Sequence, residues 1–268
     1  MRKGINPAKI KDNKVENPCF HQIIVPVYLP QLEDYYAEGL DILKLCLESI
    51  YLTVHNKTYI SVVNNGSCQE VRAYLDNLLE QQKIQEVIHT TAIGKINAIA
   101  KGLSGHHFEL VTITDADVLF TNGWQKAVYE VYEKFPKAGM VCTTPQSKRF
   151  RKGTEVIFWD NLLNKCDLKF RKTNSADDMY QFMKSIGTPE RLSKLNMRKA
   201  LILNRNNCKA FIGAGHFSST YKGKVFKKLK SQTSIDKISS DSDRKFIDQP
   251  VMNKGYWRLS TFKNYTYH

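Results

Sequence analysis

Two aspartates separated by one residue, Asp115 and Asp117, directly follow the apolar segment 108–114. Unpaired carboxylates are costly where core is expected, so this pattern implies a cation or a basic partner. Carboxylate oxygens suit a hard divalent ion such as Mg²⁺ or Mn²⁺, which is commonly completed by water and substrate phosphates. The pair alone does not establish a metal site, because Asp117 could instead form a turn or helix cap while Asp115 faces solvent.

The elements that must position these carboxylates alternate between strand and helix. Apolar, β-branched runs predict strands at 21–28, 59–63, 86–90 and 108–114, and apolar residues at helical spacing predict helices at 35–54, up to about 82 and at about 94–103. This order is typical of a doubly wound α/β sheet, whose ligands bind beyond the carboxyl ends of the strands. Polar clusters follow three strands, at 26–28, 64–67 and 115–117. We therefore expect them to meet in one crevice.

The second half of the chain is less regular. It predicts a helix at 124–135, a strand at 140–144 and a glycine turn at 211–217. Residues 147–209 are polar and basic, and they predict helices and mobile loops. The lysine- and serine-rich segment 222–245 predicts a flexible loop.

Composition places the chain among globular proteins, since 42% of its 268 residues are hydrophobic and 11% are aromatic. No apolar run approaches the roughly 20 residues that span a bilayer. The polar N-terminus lacks the apolar stretch of a secretory signal, so we expect a cytoplasmic protein. The six cysteines are scattered without a CxxC pair, which predicts reduced and mostly buried thiols.

The net charge of +14 is concentrated in the second half of the chain. Residues 1–140 hold 14 Lys and Arg against 16 Asp and Glu, whereas residues 141–268 hold 26 against 10. Such a basic half could meet nucleic acid, an anionic membrane or a phosphate-bearing substrate, and it could equally be a solvated surface. No helix-turn-helix, zinc or aromatic sheet motif supports binding to nucleic acid.

Five short segments, in order along the chain, carry a resemblance to a known family. They are Val25-Pro26-Val27-Tyr28, Val63-Asn64-Asn65-Gly66-Ser67, Gly94-Lys95 before a helix with small residues, Asp115-Ala116-Asp117, and Gly213-Ala214-Gly215-His216. The chain resembles a family 2-type glycosyltransferase of the GT-A fold. This resemblance implies an α/β nucleotide-diphospho-sugar transferase fold with a mostly parallel central sheet flanked by helices. It divides the chain into an irregular lead-in at 1–20, a nucleotide-sugar-binding half at 21–123 and an acceptor-side half of the same domain at 124–268.

The resemblance also implies roles for individual residues. Asp115 and Asp117 would hold Mn²⁺ or Mg²⁺, and His268 would supply a third metal ligand, although a terminal histidine is more often incidental. The residues implied to contact the donor are Pro26, Val27, Tyr28, Asn64, Asn65, Lys95, Asp115 and Ala116.

Two departures from the family pattern bear on the donor and on the catalytic base. Asn64 stands where the family usually has an acidic residue that hydrogen-bonds to the nucleobase. The oxygen of an amide can still accept a hydrogen bond from the N3–H of uracil, which favours a uridine donor. No adjacent acidic pair occurs on the acceptor side. Asp248 is the first choice for the base, because Pro250 and Gly255 suit the ends of a short helix that it would cap. Asp243 is the second choice, and Asp248 could equally be only a cap.

The implied function is that of a metal-dependent, inverting glycosyltransferase of hexosyl- or N-acetylhexosaminyl-transferase type, acting in polysaccharide biosynthesis. The expected donor is a nucleotide sugar, with UDP-sugar favoured, and the expected acceptor is a saccharide or a lipid-linked molecule. The basic half would hold the enzyme peripherally at the inner face of an anionic membrane, and no nucleic acid is expected among its partners.

Two alternatives stay open: a homologue that binds a nucleotide sugar without turnover, and a basic nucleic-acid-binding protein. A nucleotidyltransferase is disfavoured, because segment 29–34 lacks the glycine- and basic-rich loop that this class carries after its first strand.

Overall fold

The computed structural model describes residues 18–151, 153–162, 167–172, 176–191, 199–227, 229, 234 and 242–268. The helices are α1 (Gly39–Thr53), α2 (Gln69–Glu80), α3 (Lys95–Leu103), α4 (Trp124–Lys134), α5 (Glu155–Asn161), α6 (Ala176–Ser185) and α7 (Gln249–Asn253). The strands are β1 (His21–Val27), β2 (Thr58–Asn65), β3 (Glu86–Thr90), β4 (Leu110–Thr114), β5 (Leu119–Phe120), β6 (Ala138–Cys142), β7 (Asp167–Lys172), β8 (Lys199–Arg205), β9 (Cys208–Ile212), β10 (Ser218–Lys222), β11 (Trp257–Thr261) and β12 (Thr266–Tyr267). Short 3-10 turns lie at Asp34–Tyr36, Arg149–Arg151, Pro189–Arg191 and Gly223–Phe226, and a π-helical turn, Arg244–Asp248, leads into α7.

Ten of these strands form one sheet in the order β3-β2-β1-β4-β10-β6-β11-β9-β8-β7. The first four neighbours, β3, β2, β1 and β4, are all parallel. Strand β10 lies antiparallel between β4 and β6, and the strands beyond β11 pair antiparallel. The half of the sheet formed first along the chain is therefore parallel, and the other half is mixed.

The sheet is covered on both faces, because alternate residues of its strands face opposite sides. On β1, Ile23 and Val25 pack with the helices α1, α2 and α4, whereas Ile24 packs with α3 and α7. The result is a three-layer α/β/α arrangement in which both faces of the parallel strands are apolar.

The elements predicted before residue 143 are confirmed, with ends shifted by at most a few residues. The strands β5 and β7 to β12 were missed. In the case of β7 the reason is that it is a charged strand at an edge of the sheet, with a weak period-2 pattern. Most of the predicted lead-in (residues 1–17) and half of the predicted loop (228, 230–233 and 235–241) lie outside the described residues.

Four of the described cysteines are free thiols, as predicted: Cys46, Cys68, Cys142 and Cys208. None of the described helices has the length and apolarity that crossing a bilayer requires.

A buried polar cluster lies under the start of β1. His21 is fully buried, with Nε2 2.7 Å from Thr112 Oγ1 and Nδ1 3.1 Å from Gln125 Nε2. Burial, with a smaller contribution from His55, lowers the pKa of His21 from 6.5 to about 3. The folded chain therefore keeps this imidazole neutral.

We expect this histidine to make stability depend on pH. The unfolded chain takes up a proton near pH 6.5 and the folded chain does not, so the free energy of unfolding should fall by about 1.4 kcal/mol per pH unit between about pH 6.5 and about pH 3. Urea denaturation across this range should give a shallower pH slope for His21→Gln, whereas His107→Gln, at an exposed position, should keep the slope of the unmodified chain. An unchanged slope in His21→Gln would contradict the assignment.

Candidate functional site

The carboxyl ends of the parallel strands open onto one cavity of about 840 Å³. This volume lies in the range of sites for small molecules and cofactors. Seven of the eight residues predicted to contact a donor line it: Pro26, Val27, Tyr28, Asn65, Lys95, Asp115 and Ala116. Asp117 lies in the same wall. The predicted meeting of distant polar clusters is therefore confirmed.

Two glycines allow the loops at the cavity to approach closely. Gly66 has a φ of +87°, and a Cβ at this position would lie 2.7 Å from the backbone nitrogen of Ala92. Gly94 has a φ of +91° and immediately precedes α3, whose first residue is Lys95. Any other residue at either position would strain the backbone, so these glycines set the shape of the cavity rim.

The segment between β1 and α1 contributes a wall that the sequence-based prediction missed. Asp34, Tyr35 and Tyr36 all line the cavity. Two adjacent tyrosines after a strand end could have indicated it, since aromatic rings commonly stack on nucleobases and sugars.

Asp115 is held in place by its backbone and by a lysine. Its N–H donates to the carbonyl of Phe217 over 2.8 Å, which ties the end of β4 to the start of β10. Lys95 Nζ donates to Asp115 Oδ1 over 2.6 Å. Burial by itself would lower the pKa of Lys95, but the carboxylates of Asp115, Asp243 and Asp117 together outweigh it, so the pKa is raised. Lys95 therefore stays protonated and compensates the charge of Asp115.

The end of the chain reaches the same wall. Strand β12 pairs antiparallel with β5, with Tyr267 opposite Leu119. This register carries His268 back beside Asp117, whose Oδ1 lies 3.4 Å from the imidazole Nε2. One ligand atom from each of Asp115, Asp117 and His268 lies within 4.8 Å of the other two. Two carboxylates and one imidazole at this spacing fit a single Mn²⁺ or Mg²⁺ ion.

Buried hydroxyl groups fix the terminal segment. Thr266 Oγ1 lies 2.8 Å from the hydroxyl oxygens of both Thr143 and Thr144. The backbone N–H of Tyr265 donates to the Thr143 carbonyl over 3.0 Å, and Thr144 donates to Asn264 Oδ1 over 2.7 Å. Because these groups satisfy one another away from water, they hold the tail in one position.

The sequence matches the model of glycosyl transferase family 2 over residues 23–199, which is more than half of its length. The chain belongs to this family. No match to the sequence was found among curated proteins.

Solved structures resemble this family 2 chain in fold. S. aureus TarS 1–349 superposes with a TM-score of 0.52 at 13% identity, covering 92% of this chain and 59% of TarS 1–349. The mannosyltransferase PcManGT from Pyrobaculum calidifontis, in complex with GDP-Man and Mn²⁺, superposes with a TM-score of 0.51 at 14% identity, covering 90% of this chain and 54% of that one. At these identities the likeness establishes a GT-A glycosyltransferase fold. The family 2 chain spans little more than half the length of these structures.

Asn64 is not among the residues that line the cavity of this family 2 member. Its Oδ1 accepts a hydrogen bond from the Ser67 N–H over 2.9 Å, and its Nδ2 lies 3.0 Å from His89 Nδ1. Successive side chains of a strand point to opposite faces, so only one of the two adjacent asparagines can face the ligand. Asn65 lies in the cavity wall and Asn64 does not, which disfavours the prediction that Asn64 contacts the nucleobase.

Asp248 does not face the cavity either. Its carboxylate is 4% exposed, with Oδ2 2.8 Å from Arg258 Nη2 and Oδ1 3.2 Å from His216 Nδ1. A carboxylate that is enclosed in this way is almost inaccessible to the hydroxyl group of an acceptor. Its backbone is helical and its side chain makes no capping hydrogen bond. The prediction that Asp248 caps the helix is therefore wrong, and the burial of its carboxylate disfavours the predicted role as the base.

Asp243 lies near Lys95, a residue of the cavity wall. Its Oδ2 is 3.9 Å from Lys95 Nζ, and its side chain is about a quarter exposed. Lys95 thus joins the wall formed by Asp115 to the turn that carries Asp243.

We expect Asp248→Asn to destabilise the fold, because Arg258 would lose its buried carboxylate partner. Breaking a buried pair in this way costs roughly 3 kcal/mol or more. Urea denaturation measures the loss, and Asp41→Asn serves as the matched control because it breaks an exposed pair with Lys44. Full stability of Asp248→Asn would show that the Arg258 pair contributes little.

Proposed function

We propose that this chain transfers a hexosyl or N-acetylhexosaminyl group from a nucleoside-diphosphate sugar to a saccharide or lipid-linked acceptor, in polysaccharide biosynthesis. The observation that carries the proposal is the convergence of Asp115, Asp117 and His268 at the wall of the 840 Å³ cavity. In a family 2 chain with a GT-A fold, this arrangement suits a donor diphosphate bridged to the protein by a divalent ion.

Mn²⁺ or Mg²⁺, held by these three residues, would supply Lewis-acid assistance to the departure of the nucleoside diphosphate. Lys95 adds a fixed positive charge at the same wall, and it stands at the first position of α3. Helix N-termini favour anions, so the start of α3 and Lys95 together favour the diphosphate.

The donor nucleobase is assigned to the wall formed by Tyr28, Asn65 and the tyrosines at 35–36. The argument for uridine from Asn64 loses its support, because that amide is engaged with Ser67 and His89. The structurally similar proteins include TarS with UDP-GlcNAc and PcManGT with GDP-Man. We retain a UDP-sugar as the proposed donor and test it directly against GDP.

Asp243 is the proposed catalytic base. Its carboxylate accepts the proton of the acceptor hydroxyl while the hydroxyl oxygen attacks the anomeric carbon and the bond to the diphosphate breaks. A single displacement of this kind inverts the configuration at that carbon. Asp243 suits this role better than Asp248, because it is partly exposed and lies 3.9 Å from a lysine of the cavity wall.

Thermal melting with nucleotides tests the donor site and the metal site together. We expect UDP with Mn²⁺ to raise Tm more than UDP or Mn²⁺ alone, because a bridging ion couples their binding. Asp117→Asn and His268→Gln should lose most of the Mn²⁺-dependent increment while melting normally without ligand, whereas Asp41→Asn should retain it. An increment from GDP as large as that from UDP would overturn the uridine assignment, and a full increment in Asp117→Asn would overturn the metal site.

Substitution of the proposed base should separate chemistry from binding. Asp243→Asn should slow transfer by about 10²- to 10⁴-fold, the usual contribution of a general base, and should keep the thermal shift with UDP and Mn²⁺. The rate is measured as UDP released from the UDP-sugar that gives the largest shift, with water or an added saccharide as acceptor. Asp177→Asn, which changes an exposed acid on α6, is the control. An Asp243→Asn rate equal to that of the unmodified chain would remove Asp243 as the base.

A further inference from the structure

Several large apolar side chains outside the cavity are exposed around α5 and β7. Trp159 is 75% exposed, Leu162 71% and Phe170 60%, and Phe158 is also exposed. Single exposed apolar residues are ordinary, but three of these four lie within five consecutive residues. A cluster of this kind marks a surface that contacts something other than water.

These side chains belong to one face of the molecule. Ile157 of α5 and Leu168 of β7 both pack into the core cluster that also includes α1, α2 and α4. Phe170, two residues after Leu168, therefore points to the same side of the sheet as α5.

The turn Arg149–Arg151 connects the two elements. The ring of Phe150 contacts that of Phe170 edge to face, with centroids 5.7 Å apart. The Phe150 carbonyl accepts a hydrogen bond from Thr154, which immediately precedes α5. We name this face the α5–β7 surface and define it by Arg149, Arg151, Phe158, Trp159, Leu162 and Phe170.

Positive charge surrounds the apolar residues of the α5–β7 surface. Among the described residues of 148–172, six Lys and Arg stand against three Asp and Glu. Two of these acids are paired with bases, since Asp160 contacts Lys137 and Asp167 contacts Lys169 and Arg171. Arg149, Arg151 and Lys172 are exposed. The surface therefore combines protruding apolar side chains with a net positive rim.

We propose that the α5–β7 surface docks onto an anionic lipid bilayer. Interfacial segments place tryptophan, phenylalanine and leucine at the boundary between headgroups and acyl chains, while Lys and Arg meet anionic lipid phosphates. Tryptophan, phenylalanine and arginine are enriched in protein interfaces as well, but the exposed lysines beside them, Lys148, Lys169 and Lys172, are not typical of one, because lysine is depleted there. A nucleic acid would account for the positive rim but not for the protruding Leu162. The docking is independent of the proposed sugar transfer, since it requires neither the donor nor the metal.

Tryptophan fluorescence reports on this surface directly. The other two tryptophans, Trp124 and Trp257, are buried, so a change in polarity around Trp159 dominates any spectral shift. Vesicles of phosphatidylcholine mixed with phosphatidylglycerol should shift the emission of the full chain to the blue and should sediment it. Vesicles of pure phosphatidylcholine should do neither to a comparable extent.

Two sets of variants separate the apolar and the charged contributions. Trp159→Ser with Leu162→Ser should abolish sedimentation with anionic vesicles, whereas Leu45→Ser with Leu52→Ser, two exposed positions on α1, should leave it unchanged. Arg149→Gln, Arg151→Gln and Lys172→Gln together should weaken binding about a hundredfold, as expected for three surface-proximal charges. The same change at the exposed lysines Lys57, Lys83 and Lys101 should have a much smaller effect.

The proposal is overturned if neutral and anionic vesicles bind alike, or if the Trp159 and Leu162 variant binds as the unmodified chain does. Tighter binding to a duplex oligonucleotide than to anionic vesicles, lost in the arginine variant, would reassign the surface to nucleic acid. Self-association lost in the Trp159 and Leu162 variant, without vesicle binding, would reassign it to contact between copies of the chain. UDP-dependent melting, measured on the same variants, stays a separate test of sugar transfer.

Discussion

The charge of Asp115 constrains much of the structure around it. A carboxylate at the end of a buried strand needs positive charge nearby, and Lys95 supplies it from the first turn of α3 with its Nζ 2.6 Å from Asp115 Oδ1. A ligand atom of His268 lies within 4.8 Å of those of Asp115 and Asp117. The proposed divalent ion, held by these three side chains, would add further positive charge. A site that leaves part of this charge for a ligand to balance gains binding energy from that ligand.

The acidic residues near the cavity lie in two kinds of environment: one carboxylate is buried and the others are partly exposed. Asp248 is enclosed with Arg258 and His216. Its ion pair with Arg258 connects the turn before α7 to β11. Asp115 and Asp243 both lie beside Lys95 of the cavity wall, and each of the two carboxylates is about a quarter exposed. Burial and the identity of the basic partner decide which carboxylates can take part in chemistry.

The parallel half and the mixed half of the sheet carry different features of the molecule. The parallel strands β1 to β4 form a wall of the cavity, because all their carboxyl ends lie along one edge. The mixed half carries the glycine turn before β10, the basic charge excess and the α5–β7 surface. Docking of that surface on a membrane would orient the mixed half towards the bilayer, which suits an acceptor carried by a lipid.

The sequence by itself determined the strand and helix order of the first half, since apolar period and glycine placement are local signals. It also located the paired aspartates and, through resemblance, the terminal histidine. Tertiary structure alone decided which asparagine of β2 faces the cavity, because one residue of register reverses a side chain. Tertiary structure also buried the carboxylate of Asp248, the first choice for the catalytic base, because its partner Arg258 lies in another strand. It brought His268 to Asp117 through the pairing of β12 with β5, a contact between segments about 150 residues apart that no local pattern encodes.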